Sequence, residues 1–109
     1  MKEKLIAAVD TDTIVTGITI GGAVRCIKNK FAEDFVALEY SGKATKQELL
    51  DRATGTNKLA AVEGDVVNGM MQAGETLTLL RKVEPGKTII DDIVREARET
   101  LARAQSITV

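Results

Sequence analysis

The sequence predicts an α+β fold: a short antiparallel β-hairpin followed by about five helices, all in one small domain spanning residues 1–109. Three observations carry that prediction. The run TDTIVTGITI (Thr11–Ile20) is rich in β-branched residues and alternates in parity, and Gly21-Gly22 separates it from a second β-prone run, AVRCIK. Phe31, Phe35 and Leu38 then recur at helical spacing. Near the C-terminus, Ile90, Ile93, Val94, Ala97, Leu101 and Ala104 hold one continuous helical stripe.

Taken in order, Lys2 to Val9 reads as a short helix. The hairpin occupies about residues 12–28, with Gly21-Gly22 as a primed turn because both residues tolerate positive φ. Ile14, Ile18 and Ile20 form its apolar face, which needs a covering helix because a lone hairpin is marginal in water. That helix is expected near 30–40, ending at Ser41-Gly42. Thr45 and Glu48 have capping-box spacing and open a helix near 46–53. Thr54-Gly55-Thr56-Asn57 breaks the chain before a short helix near 58–63, and Gly64-Asp65 breaks it again before one near 70–80. Pro85-Gly86 precedes the last helix, near 88–104, which Thr88 and Asp91 are spaced to cap. Its stripe and that of Phe31/Phe35/Leu38 are expected to supply most of the core, with Ile93 buried.

Composition narrows the function classes. Fifteen basic against sixteen acidic residues leave a net charge of -1, with no electrostatic footprint for nucleic acid and no basic block for an anionic membrane. LIAAV (Leu5–Val9) is too short to span a bilayer. The single cysteine, Cys26, permits no internal disulfide, so a cytoplasmic setting is expected. Histidine is absent, which removes the commonest general base, the usual nucleophile triads and most zinc sites. No catalytic residue and no metal ligand is assigned.

Three features could carry chemistry. VRCIKNKF places Arg25, Lys28 and Lys30 where they could meet a phosphate or an interface carboxylate, or simply form the outer face of a strand running into a helix. Cys26 lacks the neighbouring histidine that would activate it and shares a strand face with Val24, as a packed core thiol does. The stretch EGDVVNGMMQAGETLTLL (Glu63–Leu80) is the least ordinary. Gly64, Gly69 and Gly74 let the backbone approach a ligand with Met70 and Met71 as pliable lining, or they mark helix breaks with the methionines filling a core gap. The glycine spacing matches neither a dinucleotide fingerprint nor a phosphate-binding loop.

DTDTIVTGITIGGAVRCIKNKFAEDF, NKLAAVEGDVVNGMMQAGETLTLL and IIDDIVREARETL together resemble the C-terminal portion of the FMN-dependent nitronate monooxygenases (2-nitropropane dioxygenases) and of the related class II enoyl-ACP reductases. Val24-Arg25, Ile27-Lys28-Asn29, Gly64-Asp65, Gly69 and Ala73-Gly74 match the family's pattern in order and at compatible spacing. Met70-Met71-Gln72 and Glu75 depart from it, standing where the family carries Ser-Val-Met and Gln. The resemblance implies an oxidoreductase tail that lacks the flavin-binding TIM barrel. Gly69, Met70, Met71, Ala73 and Gly74 would then run beside the flavin as cofactor-side residues. It also implies that the chain binds no cofactor by itself, with FMN expected only alongside a barrel domain or subunit. The expected partner is such a flavoprotein subunit or a second copy of the chain, whose interface would use an exposed apolar patch of Val66, Val67, Met70 and Met71. A stand-alone oligomeric interaction or ligand-binding module that reuses the fold is the alternative.

Overall fold

The computed structural model describes residues 1–107. In chain order it contains α1 (Lys2–Ala7), a 3-10 turn (Asp10–Asp12), β1 (Thr13–Thr16), β2 (Val24–Ile27), α2 (Lys30–Tyr40), α3 (Lys46–Ala53), α4 (Thr56–Ala61), a second 3-10 turn (Glu75–Leu79) and α5 (Gly86–Gln105). The α+β class holds, with four α-helices after the hairpin rather than five.

β1 and β2 pair antiparallel, with Ile14 opposite Cys26 and Thr16 opposite Val24. The turn between them is not the tight Gly21-Gly22 reversal that the sequence suggests. The strands stop at Thr16 and resume at Val24, leaving a loop closed by Gly22 N–H donating to the Gly17 carbonyl at 2.9 Å. Gly17 takes φ +75, and a Cβ there would stand 2.4 Å from the Gly22 carbonyl oxygen, so the closure admits only glycine.

α2 starts where its cap dictates. The Asn29 side chain accepts from Ala32 N–H at 2.9 Å and satisfies one of the free amides of the first turn. Thr45 and Glu48 form the anticipated capping box on α3. Phe31 and Phe35 are buried against each other, ring centroids 5.8 Å apart, in a core with Cys26, Ala32, Leu49 and Met70. A second cluster gathers Ile27, Ala60, Met71 and Leu77, with Leu5 and Val66 at its edge.

The helix expected near 70–80 does not form. Ile27 N–H donates to the Met71 carbonyl at 2.9 Å, and Ala73 N–H donates to the Arg25 carbonyl at 3.2 Å. Cys26 and Gln72 make an antiparallel bridge, so residues 71–73 lie along β2 as a third, minimal strand. Only Glu75–Leu79 turns, and only as a 3-10 helix. Extended backbone sends successive side chains to opposite faces. That alternation is why Met70 enters the first cluster while Met71 enters the second.

The larger departure is α5. It begins at Gly86, two residues ahead of the expected start, so Thr88 lies inside the helix, and Pro85 precedes it without a side-chain cap. None of its residues is buried: Ile93 is 61% exposed and Leu101 63%. The stripe Ile90/Ile93/Val94/Ala97/Leu101 therefore adds nothing to the core of this chain. Its helical periodicity is real, but no element among the described residues covers it. The radius of gyration is 18.2 Å, against about 13 Å for a compact chain of this length. The accessible surface is 7699 Å², against roughly 5,900 Å² for a compact monomer of comparable size.

Candidate functional site

The glycine-rich stretch Glu63–Glu75 is the candidate site, and its geometry assigns its residues differently from the sequence reading. Asp65 shapes the first half. Its Oδ1 accepts from the backbone N–H groups of Val67 and Asn68, and its Oδ2 accepts from the Asn68 amide. The Asn68 side-chain bond and the two backbone bonds hold the Asp65 carboxyl below its ordinary value. Asn29 ties this turn to α2 by donating from Nδ2 to the carbonyls of Val66 (3.0 Å) and Gly69 (2.8 Å). Phe31 N–H donates to the Val67 carbonyl, and Met70 N–H to that of Thr56.

Gly69 does approach something closely, but it is the chain itself. A Cβ on Gly69 would meet Ala60 N at 2.5 Å, the Asp65 carbonyl oxygen at 2.6 Å and the Ala60 Cβ at 2.7 Å. The missing side chain lets this backbone seat against α4. Met70 (6% exposed) and Met71 (1%) are core residues. Buried in this conformation, neither contributes to the exposed patch expected of Val66, Val67, Met70 and Met71. Of the four residues expected at an interface, Val66 is half-buried and only Val67 is substantially exposed.

Ala73 and Gly74 differ from their neighbours. Together with Gln72, Ala23, Val24 and Arg25 they line a shallow open recess beside β2. Arg25 donates to the Thr13 hydroxyl at 2.9 Å and pairs with Glu75 at 3.1 Å, both partners being solvent-accessible. An ion pair this exposed contributes little to stability, but it directs a carboxylate at the only cation lining the recess. A Cβ on Gly74 would meet only the Thr76 hydroxyl, at 3.7 Å, so the backbone there is open to the recess. Arg25, Gln72, Ala73 and Gly74 make one open wall of this recess.

Lys28 and Lys30 do not converge on Arg25. Lys28 donates to the Thr11 carbonyl, and Lys30 pairs with Asp34. Cys26 is fully buried, and burial pushes its thiol above the ordinary value while the Thr16 hydroxyl pulls more weakly the other way. Among the described residues, no group of three or more Cys, Asp or Glu could hold a metal ion. No helix among the described residues is long and apolar enough to cross a membrane. The capping role of Asn29 was not read from the sequence, although an Asn immediately ahead of an apolar helical run is a cap signal. Glu39 was also missed, and no local pattern marks it.

Among solved structures, FabK from Thermotoga maritima matches 95% of this chain at 31% identity and a TM-score of 0.84. The chain resembles a third of FabK. It spans 32% of that protein's length. A methionine-to-alanine mutant of the same FabK matches 95% of the chain at 29% identity and a TM-score of 0.75. FabK is an enoyl-ACP reductase II of the nitronate monooxygenase family, so the resemblance read from the sequence motifs is borne out, and the partial coverage agrees with a C-terminal portion. No family model and no curated protein matches the chain. The unmatched remainder is shorter than the 20-residue α5, so the match to FabK takes in at least part of that helix.

Proposed function

We propose that this chain works as the tail portion of an FMN-dependent oxidoreductase of the enoyl-ACP reductase II type. In this reading it is not catalytic by itself. It packs onto a flavin-bearing body and contributes the Arg25, Gln72, Ala73 and Gly74 edge as part of the wall on the flavin side. The observation that carries the reading is α5. Its apolar stripe lies uncovered along a helix whose length, about 30 Å, suits a long contact. FabK is about three times as long as this chain, so further protein is available there to cover such a face. No step of the reaction is assigned to a residue of this chain, which has no histidine.

The test mixes the purified chain with the flavin-bearing portion of a FabK-type reductase whose tail has been removed. Co-elution of both with flavin absorbance, abolished by Ile93→Glu on α5, supports the reading. A colourless symmetric oligomer of the chain that ignores both FMN and that portion would replace it with the stand-alone module.

A further inference from the structure

Glu39 lies in the last turn of α2, 7% exposed, and none of the ion pairs among the described residues includes it. That is a costly place for a carboxylate. Burial removes hydration, and the C-terminal end of a helix carries partial negative charge. What offsets the cost comes entirely from the loop between β1 and β2. Oε2 accepts from Gly17 N–H at 2.9 Å, and Oε1 accepts from Thr19 N–H at 2.7 Å and the Thr19 hydroxyl at 3.0 Å.

The loop has little else to hold it. Ile18, Thr19, Gly21, Gly22 and Ala23 are exposed, and only Gly17 and part of Ile20 reach the interior. Its own bonds, Gly22 N–H to the Gly17 carbonyl and Gly21 N–H to that of Ile18, close it into a ring without attaching it to the body. We propose that Glu39 is the latch that fixes this loop on α2. In doing so it is a positioning residue for the Ala23–Val24 side of the recess beside Arg25. The geometry favours a latch over a general core contact because all three donors come from one short segment, Gly17–Thr19. Two of them are backbone amides, which no side-chain substitution in the loop can remove. The inference goes beyond the oxidoreductase reading and does not depend on it, since it needs neither a flavin nor a partner.

Residue-resolved amide hydrogen exchange on the purified chain tests it, comparing wild type with Glu39→Gln and Thr19→Val. In Glu39→Gln the Gly17, Thr19 and Gly22 amides should exchange at least about tenfold faster, the scale of losing charge-assisted bonds. The Ile27 and Ala73 amides, which hold the strands, should keep their rates. Thr19→Val removes one donor without touching the charge, so it should accelerate the same loop amides by a smaller factor. It also keeps the test open if Glu39→Gln does not fold. Loop amides that stay as slow as in wild type in either variant would overturn the latch. So would a uniform acceleration across loop and strands, because the carboxylate would then be supporting the whole fold and not this segment.

Discussion

α2 and α5 carry apolar stripes of the same kind, and the chain treats them in opposite ways. Phe31 and Phe35 of α2 are buried beneath the hairpin, while Ile93 and Leu101 of α5 face solvent. Helical periodicity reports that a face is to be covered; it does not report by what. For α2 the cover is near in sequence, since the hairpin precedes it directly and Asn29 caps its first turn. For α5, none of the described residues buries the stripe.

Substitutions can break that contrast, and the largest effect is expected at Phe35. Truncation there leaves a cavity in the first cluster, so Phe35→Ala should destabilise the isolated chain by about 3–5 kcal/mol in denaturant unfolding. A loss below about 1 kcal/mol would mean that α2 is as loosely held as α5. Gly69→Ala comes next. Its methyl would run into the backbone of Ala60 and Asp65, which cannot swing aside, and overpacking of this sort costs about 1–3 kcal/mol. The same measurement checks it.

Thr45→Ala should cost about 1 kcal/mol by removing the α3 cap. Acid sharpens the point. The Thr45 backbone N–H, followed by its hydroxyl, holds the Glu48 carboxyl below its ordinary value. The stability this supplies is present above the unfolded carboxylate's titration range and is lost as pH falls through the lowered folded value. An acid titration of Thr45→Ala should therefore show a Glu48 carboxyl closer to its ordinary value, and an unchanged titration would mean that the backbone bond alone sets it. The smallest effect is expected at Ile93. Exposed as it is, Ile93→Ala should change the stability of the isolated chain by less than about 0.5 kcal/mol, while the same change should weaken association with a flavin-bearing body. A loss of several kcal/mol in the isolated chain would show that the stripe is covered in solution.

Local signals in the sequence were legible where local physics decides the outcome. The boundaries of α2 and the Thr45–Glu48 box follow from capping and periodicity within a few residues. The start of the 70–80 segment was illegible because residues 71–73 are held by hydrogen bonds to β2, more than forty positions away, which override any local tendency to turn. Of the two readings of the glycine-rich stretch, methionines filling the core is the one the structure shows, and Gly69's close approach to α4 is visible only in three dimensions. Glu39 gave no signal, since an acidic residue near the end of an amphipathic helix reads as a solvated surface group. The family resemblance was legible because Val24-Arg25, Ile27-Lys28-Asn29 and Gly64-Asp65 keep their order and spacing.

Met70 and Met71, adjacent in sequence but lodged in separate clusters, also set how this protein ages under oxidants. Their thioethers are shielded, whereas Met1 is 39% exposed, so peroxide should convert Met1 to its sulfoxide first and leave the folded body unaltered. Only a molecule that has opened offers the inner pair. A sulfoxide at either position then puts a polar group into one of the two cores, which disfavours reclosing and leaves the neighbouring thioether open to the same reaction. Oxidative damage should thus accumulate as two populations, one intact apart from its first residue and one modified at both inner methionines, with few molecules between them.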